Sequence, residues 1–69
     1  MQQRSGFLRL PEVQRISGLS RSSIYRLEAA GNFPARVKLS VRATAWRADE
    51  VHAWIAARPR AAAITRNPA

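Results

Sequence analysis

Two short stretches whose apolar residues fall at helical spacing are separated by so little chain that the gap dictates the fold: only Gly18 and Leu19 lie between them and Ser20. In the first stretch Leu10, Val13 and Ile16 recur every three residues and make one apolar stripe. Pro11 sits where a helix start tolerates a missing N–H, and Glu12 beside it meets the positive end of the helix dipole. The pattern predicts a helix from about Pro11 to Ser17, stopped by Gly18. Ser20 is a good N-cap for a second helix running from Arg21 to Ala30 and ended by Gly31. Two helices meeting across so tight a turn read as a helix-turn-helix, with Leu19 plugging the corner and the second helix presented to a DNA groove.

The periodicity then changes. In Ala35–Leu39, Val37 and Leu39 alternate with Arg36 and Lys38 in the two-residue period of a strand, and Thr44-Ala45-Trp46 is a second strand candidate. Ser40-Val41-Arg42-Ala43 between them makes the tip of a hairpin, although it carries no Asn-Gly turn signal. Val51, Trp54 and Ile55 return to helical spacing, with Asp49 and Glu50 in the first turn, and predict a third helix over about Ala48–Ala57. Ahead of all this, Phe7-Leu8-Arg9 reads as a short extended lead-in. The expected architecture is mainly α with a small β-hairpin: helix, turn, helix, two-stranded wing, helix. We expect one domain over residues 7–58 and a flexible tail over residues 59–69.

A chain of 69 residues has room for one core. It has no cysteine, so no disulfide or thiolate metal site staples it, and a reducing cytoplasm is the expected setting. No apolar run approaches the roughly 20 residues that cross a bilayer, so neither membrane insertion nor export is expected. Phe33, Trp46 and Trp54 stand at core spacing and are assigned to packing, with Trp46 and Trp54 meeting in one core.

Charge narrows the function. Twelve Lys and Arg oppose four Asp and Glu, a formal net charge of +8, and all the basic residues but Lys38 are arginine. The planar guanidinium suits bidentate contact with phosphate or guanine better than an ammonium does. Glu12, Asp49 and Glu50 fall in first turns of helices, where their simplest role is structural, and no acid occurs between Asn32 and Ala48. Arg36, Lys38, Arg42 and Arg47 therefore make the wing basic throughout, as a strand of phosphates would require.

On a helical wheel, Ile24 and Leu27 mark the buried side of the second helix and leave Ser22, Tyr25, Arg26 and Ala29 facing away. Arg26 is suited to guanine or phosphate, Tyr25 and Ser22 to hydrogen bonds with backbone or bases, and Ala29 to close approach. The alternative is an ordinary solvated helix face. Arg42 at the hairpin tip is the strongest candidate for a wing contact. Catalysis is not expected, because His52 is the sole histidine and no clustered carboxylates or glycine-rich phosphate loop accompany it. No cofactor or metal is expected either, since His52 and Asp49 are too few ligands to hold an ion.

The ordered pieces Leu8-Arg9-Leu10-Pro11-Glu12-Val13, Gly18-Leu19-Ser20-Arg21-Ser22-Ser23-Ile24-Tyr25-Arg26, Gly31-Asn32-Phe33-Pro34, Val37-Lys38-Leu39, Arg42, Ala45-Trp46-Arg47 and Val51-His52-Ala53-Trp54-Ile55 together resemble the AlpA family of prophage regulators. The resemblance runs from about Phe7 to Ala57. It implies kinship with MerR-like and excisionase-like winged helices, a prophage or mobile-element origin, DNA binding, and control of transcription or excision. It also implies contact roles for Arg21, Ser22, Tyr25, Arg26 and Arg42. The sequence carries Ser40 where such proteins often have glycine, and it lacks the long dimerisation helix of full MerR regulators.

The leading expectation is a sequence-specific binder of double-stranded DNA that contacts it through Arg21, Ser22, Ser23, Tyr25, Arg26, Arg36, Lys38 and Arg42. Cooperative self-association on DNA stays open. Alternatives are an excisionase-type architectural factor, or a protein-interaction module that docks a partner on the Ala53, Ala56 and Ala57 side of the third helix. An RNA binder would want exposed aromatics, which are here assigned to the core.

Overall fold

The computed structural model describes residues 6–61, so the tail expected beyond Ala61 lies outside the described residues. The elements in order are β1 (Phe7–Leu8), α1 (Leu10–Ser17), α2 (Arg21–Ala29), β2 (Val37–Ser40), β3 (Ala43–Arg47) and α3 (Ala48–Ala56). This is a winged helix-turn-helix with three helices and a small antiparallel sheet.

Local chemistry sets the helix ends. At the end of α1, Gly18 takes a left-handed conformation with φ 76°, and its N–H donates to the Gln14 carbonyl at 2.9 Å. A residue with a Cβ enters that region only at a cost, so Gly18 turns the chain where a side chain would have continued it. The Ser20 side chain then accepts from the Ser23 N–H at 3.2 Å and starts α2. At the far end of α2, the Gly31 N–H donates to the Glu28 carbonyl and the Asn32 N–H to the Leu27 carbonyl, at 3.0 and 2.8 Å. With Gly31 at φ 79°, these two bonds form a Schellman motif. Helices α1, α2 and α3 thus lie within a residue of the predicted spans.

The sheet differs from the expected two-stranded wing. Its order is β1-β3-β2, and Phe7-Leu8, expected only as a lead-in, pairs with β3 so that Phe7 lies opposite Arg47 and Leu8 opposite Trp46. The Gly6 carbonyl also accepts from the Ala48 N–H at 2.9 Å, satisfying a free donor at the start of α3. In the wing proper, Val37 opposes Ala45 and Lys38 opposes Thr44, but Ser40 opposes Ala43, a register shift within β2.

That shift explains how Ser40 serves where glycine was expected. Mirror-image hairpin turns require positive φ, and among the described residues only glycines have it, so the Val41-Arg42 turn is of the ordinary kind. Ordinary turns splay the strands, and the irregularity at Leu39 absorbs the mismatch. It also breaks the predicted alternation: Val37 is half-buried, but Leu39 is 43% exposed rather than facing the core.

The core gathers Val13, Ile24, Phe33, Trp46 and Val51, with Leu8, Leu10, Ile16, Leu19, Leu27 and Ile55 packed around them. Trp46 and Trp54 belong to the same cluster. Trp46 is fully buried, whereas Trp54 lies on the margin, edge-on to Phe33 at 4.8 Å between centroids, with its indole N–H donated to the Asn32 carbonyl at 2.6 Å. Each tryptophan buries a large apolar surface, and Trp46 on β3 is where α1, α2 and the sheet converge.

Candidate nucleic-acid interface

Helix α2 carries five of the eight predicted contact residues. Arg21, Ser22 and Arg26 are exposed, and among the described residues the Arg26 guanidinium makes no hydrogen bond or ion pair within its own chain. Ser22 and Ser23 lie on the first turn around the Ser20 cap. The Ser20 hydroxyl is 3.0 Å from that of Ser23 and 3.4 Å from that of Ser22. Ser23 is half-buried and its hydroxyl and N–H both engage Ser20, so it serves the helix start, while Ser22 stays open to solvent.

Tyr25 departs from the helical wheel. It was expected to face away from the protein, yet it is half-buried and packs against the core, its ring tilted 41° to that of Trp46 at 6.3 Å between centroids. The wheel used only Ile24 and Leu27, and the sheet adds a second surface that widens the buried arc of α2. The outer side of Tyr25 is flanked by arginines, with the Arg21 guanidinium 5.7 Å and the Arg36 guanidinium 4.8 Å from the ring centroid. A cation over a tyrosine face is attracted by the ring quadrupole. The phenol therefore joins the exposed side of α2 to the approach to the wing.

Arg36 is also held by Glu28. Its N–H donates to Glu28 Oε2 at 2.8 Å, and its guanidinium forms an ion pair with Oε1 of the same carboxylate. The Glu28 side chain is only 14% exposed against 41% for Arg36, so the carboxylate is the more sheltered partner. The expectation of a uniformly basic wing needs this correction at its base, since the acid that neutralises Arg36 comes from α2. Sequence reasoning gave Glu28 no role. The signal was an acid near the C-terminus of a helix, where the dipole disfavours it and a cation nearby must compensate.

The rest of the wing matches the electrostatic expectation. Lys38 and Arg42 are exposed, their side-chain charges have no partner among the described residues, and the Arg47 guanidinium lies 5.7 Å from the centroid of Phe7. Val41, between Ser40 and Arg42, is 86% exposed.

The remaining candidates are structural in placement. Glu12 pairs with Arg15 one turn along α1, and that hydrogen bond holds the Glu12 carboxyl below its ordinary value. Asp49 does not engage His52; its Oδ1 accepts from the Glu50 N–H at 2.9 Å. No group of three potential metal ligands, and no helix long and apolar enough to cross a membrane, occurs among the described residues. Between the end of α2 and α3, Ala53 and Trp54 line an open groove with Leu27, Phe33, Pro34 and Arg58, while Ala56 and Ala57 are exposed.

Two helices joined by a three-residue turn, followed by a hairpin with a basic tip and a third helix behind, define a winged-helix protein. The family model described as prophage CP4-57 regulatory protein (AlpA) matches residues 6–59, and the chain belongs to that family of phage-associated regulators. It is 52% identical over 52 residues to an uncharacterized protein, ORF88, of Enterobacteria phage P4. That alignment covers 75% of this chain and 59% of the relative, so the chain spans less than two thirds of the phage protein's length. No solved structure matches the chain. The family is one of regulatory proteins and not of enzymes.

Proposed function

We propose that this chain is a sequence-specific binder of double-stranded DNA that regulates transcription from a prophage or mobile element, with α2 in the major groove and the wing along a phosphate strand. The observation that carries the reading is the Arg21–Tyr25–Arg36 stack. It fixes the exposed side of α2 against the base of the wing, so that Arg26 and Ser22 on the helix and Lys38 and Arg42 on the hairpin sit on one braced unit. Arg26 supplies the fork that reads guanine, and Lys38 and Arg42 supply charges that position without reading.

Footprinting on the DNA flanking the protein's own gene tests this and gives site length and protomer spacing together. If about five basic side chains neutralise phosphates, log affinity falls with log salt at a slope near −4 to −5. Binding that barely changes between low and moderate salt would overturn the electrostatic part. A fold that protects no DNA in the footprint and captures a protein through the Ala53 groove would replace it with the interaction-module reading.

A further inference from the structure

The wing tip departs from two local preferences at the same position. Val41 occupies the two-residue turn, whose negative φ angles admit most residues but where proline and short polar side chains are commoner than a β-branched one. It is also 86% exposed, the most exposed of the large hydrophobic side chains in the described residues. Neither turn propensity nor burial within this chain accounts for a valine there. Where a sequence departs from its own local preferences without an internal gain, the residue is expected to act on something outside the chain.

Two further observations say what that something is. The register shift in β2 turns Leu39 outward as well, so a second apolar side chain, 43% exposed, accompanies Val41 at the same end of the hairpin. Around them are Lys38, Ser40, Arg42 and Thr44, all exposed and none acidic. The partner therefore presents negative charge outside and apolar surface within reach. The minor groove of duplex DNA does so, with phosphates along its rims and sugar walls and stacked bases inside. The scale suits a side chain rather than the whole hairpin: strand axes about 4.8 Å apart, with their atoms' radii added, exceed a groove about 6 Å wide, so the tip reaches in through its projecting side chain.

Resting on the DNA-binding reading above, we propose that Val41 is an apolar wedge that enters the minor groove at a flexible pyrimidine–purine step, partly unstacks it and bends the DNA. Arg42 and Lys38 bring the tip to the phosphate rims, and Leu39 lies against the sugar wall. Apolar wedges of this kind kink DNA by roughly 20 to 90° toward the major groove. The wing would thus contribute selectivity through deformability rather than through hydrogen bonds to bases.

The test uses the full chain and duplexes of about 30 base pairs that it retains from a random pool, labelled at both ends for energy transfer, with 2-aminopurine at the candidate step. Val41→Asn places a turn-favoured residue at the tip, and Val41→Ile keeps a β-branched apolar one. With the native chain, the ends should approach and 2-aminopurine should brighten. Val41→Asn should lose most of both signals and about tenfold in affinity, the worth of burying one valine-sized group. Its salt slope should stay unchanged because no charge is removed. Val41→Ile should retain the bend. If Val41→Asn bends and binds as the native chain does, the wedge is refuted while the DNA-binding reading stands. If it instead dissociates an oligomer in sedimentation with the bend intact, the tip is a protein contact and the wedge is likewise refuted. If the native chain retains no duplex from the pool, the DNA-binding reading falls first and the wedge with it.

Discussion

The helix-turn-helix and the wing are built to different standards. In the former, Gly18 closes α1, Ser20 opens α2 and the Schellman motif at Gly31 closes it, while Val13 and Ile24 are fully buried. In the latter, no residue of β2 is buried, the register slips, and Leu39 and Val41 stand in solvent. The hairpin is secured at its base alone, where Ala45 and Trp46 are buried and Glu28 clasps Arg36. Helix α2 is therefore held at both ends and along its buried side, whereas the wing tip has few contacts to hold it. Few buried contacts and an exposed hydrogen-bond ladder place the tip at the low end of local stability.

The largest effect that could break this contrast is at the shared core. Trp46→Ala should cost about 3 to 5 kcal/mol, enough to unfold a domain this small, whereas Leu39→Ala should stay within about 0.5 kcal/mol. Thermal melts followed by circular dichroism check both. Equal losses would mean that the wing is as tightly built as the helices.

The next effect separates reading from clamping. Arg26→Ala should cost about 1 to 3 kcal/mol on the cognate site and much less on scrambled duplex. Arg42→Ala should weaken both alike and lower the salt slope by about one unit, since a phosphate contact carries no sequence information. Competition binding decides it, and equal proportional losses for Arg26→Ala would reduce α2 to a phosphate clamp.

Smaller again is the cap. Ser20→Ala should cost about 1 kcal/mol of stability by freeing the Ser23 N–H, measurable as a lowered urea midpoint with an unchanged slope. The smallest expected effect sharpens the account of the wing base. Glu28→Gln removes a partly solvent-screened ion pair worth about 1 kcal/mol or less, and it frees Arg36 for phosphate. The salt slope of DNA binding should then steepen by up to about one unit. An unchanged slope would show that Arg36 stays on Tyr25 and never reaches the DNA.

What the sequence disclosed follows the range of each signal. The three helices were legible because stripes such as Leu10, Val13 and Ile16, the acids of the first turns, and stops at Gly18 and Gly31 act within a few residues. The hairpin was legible for the same reason, though its bulge was not, since the slip depends on how a turn without positive φ meets the strands. The pairing of Phe7-Leu8 with β3 and the Glu28–Arg36 clasp join distant segments and leave no periodic trace. Tyr25 was placed outward because a helical wheel sees one helix and not the sheet beside it. Among the candidate contacts, Arg21, Ser22, Arg26, Lys38 and Arg42 are exposed as their own elements imply, Ser23 is taken up by the helix cap, and Tyr25 and Arg36, whose placement depends on two elements, are held between α2 and the base of the wing.

The short strand β1 has a consequence for the order in which the molecule assembles. Phe7 meets Arg47 across roughly forty residues of chain, and closing a loop of that length costs about 3 kcal/mol in entropy before the contact returns anything. Contacts within the helix-turn-helix and within the hairpin span far less chain and form sooner. A two-residue strand is therefore expected to dock late and lift early, which hydrogen exchange at the Ala48 amide would report. When it lifts, Leu8 leaves Trp46 and the Ala48 amide loses the Gly6 carbonyl in the same event, so the core tryptophan and the start of α3 are uncovered together.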